Sequence, residues 1–332
     1  MTSLEFIQGL MKDIKPSMAY EGECLETWQK TAHDKLEELL GLPLNECEDD
    51  FKILEERDGA EYKTIVFQFQ SEPGYYVDAT ILAPNGTSRP IPGVICLQGH
   101  STGAHISLGI PVFPGDEEDI AGGRDFAVRA VQEGFCGIAM DQRYMGAKGQ
   151  TEDGNPASIR KFASMSSYLI GRTPIGERVW DVHRLIDIIE KYLTEYINPE
   201  KIICMGNSGG GTATFYASCY DKRIAMSIPS CAVCTFDDSI VAMKHCPCNY
   251  IPNIRKYFDM GDLGCLIAPR PLVVVCGVKD KIFPLHGVEK SFEIMKKAYT
   301  SVGKEDSCHL VKGNGGHQFY PDDAWPIAKT MI

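Results

Sequence analysis

From residue 91 onward the chain alternates short, almost wholly apolar runs with longer stretches of helical periodicity, and no other feature narrows the fold as far. The runs are "IPGVICLQG", "CGIAMDQ", "KIICMG", "RIAMSIPS", "RPLVVVCG" and "CHLVKG". A strand that is apolar on both sides must be covered on both sides, which is the condition inside a parallel sheet. Between the runs lie "DFAVRAVQEG", "ERVWDVHRLIDIIEKYLTEY", "TATFYASCYD" and "LHGVEKSFEIMKKAYTSVG", each long and periodic enough for a crossover helix. Upstream, "DFKILEERDG", "EYKTIVFQFQ" and "YYVDATILAP" alternate like antiparallel strands, with "SEPG" as the turn between the last two. The pattern predicts an α/β fold: a mostly parallel sheet of about eight strands with helices on both faces.

Residues 3–41 read as two helices, the second with Leu25, Trp28, Leu36, Leu39 and Leu40 near one face and a glycine stop. This predicts an N-terminal helical extension over 1–45 and one α/β domain over 46–332. No repeat, low-complexity tract or linker marks a further boundary. Thirty-three basic against 45 acidic residues leave a net charge of -12, and no basic block interrupts it, so nucleic acid and other strongly anionic partners are disfavoured.

The first residues lack the charged, apolar and small-residue order of a signal peptide, and no run reaches the ~18 apolar residues of a membrane span. Thirteen cysteines are many for such a chain, and Cys96, Cys204 and Cys276 fall inside apolar runs, where cysteine acts as a small hydrophobe. A reduced, cytoplasmic protein is expected, with no membrane partner. Whether it forms a homo-oligomer is left open.

The stretch "KIICMGNSGGGTATFYAS" poses the functional question. Gly206-Asn207-Ser208-Gly209-Gly210 is G-x-S-x-G between an apolar strand and a helix. In a nucleophile elbow the turn holds the serine in an unfavourable backbone conformation, and small residues two places either side let strand and helix close together. Gly99-His100-Ser101-Thr102-Gly103 has the same pattern, but glycines and prolines break the next stretch of chain, so Ser101 is not the nucleophile. Its loop suits a different role, since the amides of Gly209 and His100 are the expected oxyanion hole.

A serine needs a base and an orienting acid downstream. Asp280 follows the run "VVVCG" and His317 lies in "GNGGHQFY", both just past predicted strands on one sheet edge. Singly, each has a bland reading: a glycine turn, a turn aspartate, a solvated histidine. Together, in the order Ser, Asp, His, they are far more selective.

At this point the chain resembles the α/β-hydrolase superfamily, and within it the dienelactone-hydrolase-like and acetyl xylan esterase-like branch. The residues that carry the match are "GRTPIGERVWDVHRLID", "GNSGGG", "HCPCNYIPNIRKYFDMGDLGCLIAPRPL", "GVKDKIFP" and "GGHQFY", within about residues 50–325. The resemblance implies hydrolysis of a small-molecule carboxylic ester without metal or organic cofactor, often removal of small acyl groups from carbohydrate. The chain departs from the branch at Gln98-Gly99-His100, where many members read His-Gly, and at Ser208, where dienelactone hydrolases proper carry cysteine. A peptide or thioester bond is the alternative substrate, and a non-catalytic binding protein the alternative class.

The remaining features are weaker. Cys231, Cys234, Cys246 and Cys248, with His245, suggest a zinc site, but the second pair is too closely spaced for the usual zinc loop and packing cysteines are the favoured reading. Arg143, Tyr168, Phe283 and Tyr320 are candidate substrate contacts, with a solvated or loop-bracing arginine the favoured reading for Arg143. Arg172 and Asp181 read as a bracing pair, and Trp180 as core. The irregular stretches 101–122 and 146–172 are expected pocket walls, because ligands of open α/β sheets bind at the carboxyl edge.

Overall fold

The computed structural model describes residues 1–149 and 157–332; part of the expected pocket wall at 146–172 therefore lies outside the described residues. Among the described residues nine strands form one sheet: β1 Lys52–Asp58, β2 Tyr62–Glu72, β3 Tyr75–Pro84, β4 Ile91–Leu97, β5 Cys136–Met140, β6 Ile197–Asn207, β7 Ile224–Ser230, β8 Leu272–Gly277 and β9 Cys308–Gly313. Their spatial order is β1-β2-β3-β5-β4-β6-β7-β8-β9. The first three make an antiparallel meander that joins β5 antiparallel, and β5, β4 and β6 to β9 run parallel. The six apolar runs are the six parallel strands, and the three alternating runs are the meander.

The longer helices are α1 Ser3–Asp13, α2 Leu25–Leu40, α3 Phe126–Gln132, α4 Ala157–Tyr168, α5 Pro174–Tyr192, α6 Gly209–Tyr220, α7 Leu285–Ser301 and α8 Pro321–Ala328. Successive strand residues point to opposite faces, and the core divides accordingly. Ile95, Leu97, Cys204, Val274 and Cys276 pack with α5, α6 and α7. Val94, Cys96, Ile203, Met205, Val273 and Val275 pack with α3 and α8. Helix α8 has no clear signal in the sequence because Pro321 and Pro326 read as breaks; Pro321 stands in the first turn, where its missing N–H is no loss.

Helix α2 buries Leu25, Trp28, Ala32, Leu36 and Leu40 in the first of these cores and stops at Gly41, whose φ of 75° a side chain would strain. Gln29 Nε2 donates to the carbonyls of Cys265 and Ala268, and Thr173 Oγ1 donates to the Leu40 carbonyl. The N-terminal segment is thus part of the packed body. Helix α1 buries no residue and is anchored by Gln8 Nε2 on the Val241 carbonyl.

Candidate active site

Strand β6 ends at Asn207 and α6 begins at Gly209, so Ser208 is the whole turn. Its φ of 56° and ψ of -121° lie in a region that L residues avoid. The conformation is held by three bonds: Ser208 N donates to the Ser230 carbonyl at 2.9 Å, Thr212 N donates to the Ser208 carbonyl at 2.8 Å, and Ser230 Oγ donates to Asn207 Oδ1 at 2.9 Å. A Cβ on Gly210 would stand 1.9 Å from the Leu97 carbonyl oxygen, and one on Gly206 would stand 2.6 Å from Gly210 backbone. Only glycine permits that approach of strand to helix. Ser101 has no such strain: its φ is not positive, and a short helical turn, Ala104–Leu108, comes after it.

Asp280 and His317 lie past the ends of β8 and β9, on the carboxyl edge that also carries Ser208. Asp280 Oδ2 meets His317 Nδ1 at 2.8 Å, and Asp280 Oδ1 accepts from the amides of Ile282 and Phe283 at 2.8 and 3.2 Å. Burial disfavours the carboxylate, yet these donors outweigh it and hold Asp280 below its ordinary pKa. Because a carboxylate can only accept, His317 donates its Nδ1–H to Asp280. Phe283 stacks on the His317 ring at 5.9 Å.

A pocket of about 1040 Å³ opens over Ser208 and Gly209, with His100, Tyr168, Phe283 and the segment from Lys244 to Pro252 in its wall. Gly99 approaches Ser208 so closely that a Cβ there would meet Ser208 Cβ at 3.2 Å, and the His100 ring packs directly on Gly209. The loop after β4 therefore touches the elbow. On its other side His100 Nε2 lies 3.3 Å from Cys248 Sγ. A hydrogen bond from Cys248 pulls the Cys246 thiol well below its ordinary pKa against the effect of burial, with help from His100, and pushes Cys248 up.

Tyr168 and Phe283 line the pocket, Tyr168 donating to the carbonyls of Pro247 and Tyr250. Two other candidates stand elsewhere. Arg143 is buried, with a two-pronged bond to Asp181 at 2.8 Å and a third contact to Glu72 at 2.5 Å, so its charge is neutralised inside the fold. Tyr320 OH donates to the Gly316 carbonyl at 2.8 Å and its ring fills the space over Gly313, which braces the loop that carries His317. The Arg172–Asp181 pair is also replaced: Arg172 bonds Glu72 and Glu177. Trp180 is core, its Nε1 donating to the Ser71 carbonyl at 2.9 Å.

The cysteine grouping divides as well. Cys231 Sγ donates to the Gln318 carbonyl and Cys234 Sγ to the Pro284 carbonyl, while Cys246 and Cys248 gather with His100 rather than His245. Sequence reasoning missed the role of 244–252 as pocket wall. The segment's only signal was that it belongs to the stretches carrying the family resemblance.

A doubly covered, mostly parallel sheet with its serine turn at the carboxyl edge defines the α/β-hydrolase class. The chain matches the Abhydrolase family over residues 1–312 and belongs to it. The match begins at residue 1, so the helical segment set outside the resemblance lies within the family's span. YtaP of Bacillus subtilis (strain 168), provisionally named a hydrolase, is 24% identical over 277 residues, which are 80% of this chain and 85% of that protein. The 4-O-methyl-glucuronoyl methylesterase of Phanerochaete carnosa (strain HHB-10118-sp) is 26% identical over 219 residues, 57% of this chain and 53% of that one. Among solved structures, one from Bacteroides fragilis NCTC 9343, provisionally called an acetyl xylan esterase, aligns with a TM-score of 0.79 at 17% identity, covering 95% of this chain and 83% of that chain. A glucuronoyl esterase from Solibacter usitatus aligns with a TM-score of 0.70 at 13% identity, covering 96% and 97%. These structures share the fold. Among the described residues no helix is long and apolar enough to cross a membrane.

Proposed function

We propose that the chain is a serine carboxylic-ester hydrolase for small acyl esters, acetyl-type esters of carbohydrate foremost, working through Ser208, His317 and Asp280. One observation carries the reading: Asp280 fixes the His317 tautomer at the sheet edge where Ser208 is held at positive φ. His317 Nε2 takes the Ser208 proton as Oγ attacks the ester carbonyl, and the amides of Gly209 and His100 receive the negative charge on oxygen. The C–O bond to the alcohol breaks, the alcohol leaves with the proton from Nε2, and the acyl group stays on Oγ. Water, deprotonated by His317, then releases the acid and restores Ser208. Relatives named as esterases of acetylated xylan and of glucuronoyl groups support an ester bond in a carbohydrate. Thirteen free cysteines support a reducing, cytoplasmic setting.

A second reading keeps the chemistry and changes the acid. Lys161 and Lys244 line the pocket and form no ion pair among the described residues, which suits the carboxylate released from a sugar-acid ester. The test compares hydrolysis of p-nitrophenyl acetate, an acetylated xylo-oligosaccharide and methyl glucuronate by wild type and Ser208→Ala. Turnover of the first two by wild type alone supports the acetyl reading, and preference for methyl glucuronate supports the second. Equal activity in Ser208→Ala would overturn both.

A further inference from the structure

We infer that His100, Cys246 and Cys248 form a three-ligand site for a thiophilic divalent cation, Zn²⁺ in the first instance, in the wall of the Ser208 pocket. The ligand atoms of the three residues lie within 4.8 Å of one another, and His100 Nε2 is 3.3 Å from Cys248 Sγ. Tetrahedral zinc with Zn–S of about 2.3 Å and Zn–N of about 2.0 Å puts nitrogen and sulfur about 3.5 Å apart and two sulfurs about 3.8 Å apart. The His100–Cys248 separation is thus close to one edge of a coordination tetrahedron before any ion enters. Cys246-Pro247-Cys248 is too short to close a structural zinc loop alone. The fold supplies the third donor from the end of β4, 148 positions from Cys248 in sequence.

Zn²⁺ binding releases the remaining thiol protons to solvent and leaves a neutral metal–dithiolate unit. His100 and Cys246 line the pocket while Cys248 is buried behind them, so the ion enters from the pocket and its fourth position faces the substrate space, where water or an anionic oxygen completes the shell. Soft thiolates with imidazole select zinc-like ions over Mg²⁺ or Ca²⁺.

The test uses reduced, metal-stripped full-length protein in which Cys24→Ser and Cys47→Ser remove the other two thiols that are not buried. Titration with Co²⁺ is expected to give one equivalent of a thiolate-to-cobalt charge-transfer band with strong tetrahedral visible absorption, and Zn²⁺ to bleach it. Cys246→Ser and Cys248→Ser should each abolish the band. His100→Gln should weaken binding by more than the ~10–100-fold that a hydrogen-bond partner of a ligand is worth, and His245→Gln should leave it intact. Absence of the band in the parent protein, or its survival in folded Cys246→Ser/Cys248→Ser protein, would overturn the site. Should those variants not fold, iodoacetamide labelling of the parent decides: Zn²⁺ protects Cys246 from alkylation if the site exists and leaves its labelling unchanged if it does not. Neither readout involves ester hydrolysis, so failure of the catalytic reading is a separate result.

Discussion

Ser208 stores backbone strain of roughly 1–3 kcal/mol, which the hydrogen bonds to Ser230 and Thr212 withstand. On the proposed chemistry, Ser208→Ala lowers kcat for p-nitrophenyl acetate by on the order of 10⁴-fold or more. Asp280→Asn keeps a hydrogen bond to His317 but favours the wrong tautomer, with an expected loss of roughly 10⁴-fold in kcat. A steady-state assay of both variants checks this, and near wild-type rates in Asp280→Asn would remove Asp280 from the mechanism. Gly210→Ala tests the elbow's packing rather than its chemistry. The added methyl meets the Leu97 carbonyl oxygen, an atom of the sheet backbone that cannot swing aside, so urea unfolding should show a loss of at least about 1–3 kcal/mol. The elbow was legible because its requirement is local: glycine at two positions around one serine, between an apolar run and a helix. Arg143 and Tyr320 could not be separated in sequence from true pocket residues, because a strand-end arginine and a loop tyrosine look alike whether they face a pocket or the interior. Arg143's partners Glu72 and Asp181 are 71 and 38 positions away.

The charged group behind β5 binds elements rather than substrate. Arg143 joins the end of β2, through Glu72, to the middle of α5, through Asp181, and its guanidinium lies 4.1 Å from the Tyr75 ring centroid. Arg143→Met would leave two buried carboxylates without this partner, and a loss of about 3–5 kcal/mol is expected in urea unfolding. Asp262 ties the N-terminal segment to the body in the same way, accepting from the amides of Tyr20 and Asp259 at 2.9 and 2.7 Å. Burial outweighs those bonds and pushes its carboxyl up to about 6. The folded state then holds a proton that the unfolded chain gives up near 3.8, so stability falls as pH rises from that value to about 6 and stays lower above it. Between about pH 5 and about pH 7, wild type should lose on the order of 1–2 kcal/mol more stability than Asp262→Asn. Identical pH profiles from denaturant titrations would show that Asp262 does not titrate in this window.

Across the whole molecule the two N-terminal helices differ in what they hold. Helix α2 buries five side chains in the core shared with α5, α6 and α7, whereas α1 buries none. Large side chains contribute roughly 1.5–3 kcal/mol each when buried, against a typical total stability of about 5–15 kcal/mol. Deletion of residues 1–13 should therefore shift the melting temperature by only a few degrees, while deletion of 1–40 should abolish cooperative unfolding. A sharp transition in the longer deletion would mean that the sheet and its remaining helices suffice. Most of the sheet was legible because strands covered on both faces must be apolar throughout, and the meander because its strands alternate. The sequence alone determined the fold class and the glycines that flank the strained Ser208 turn, since each follows from local chemistry or from the period of one element. The tertiary structure alone decided that His100 meets Cys246 and Cys248, that Arg143 turns inward and that 244–252 walls the pocket. Those contacts join residues distant in the chain, and no local propensity records which distant strand ends and loops packing will bring together.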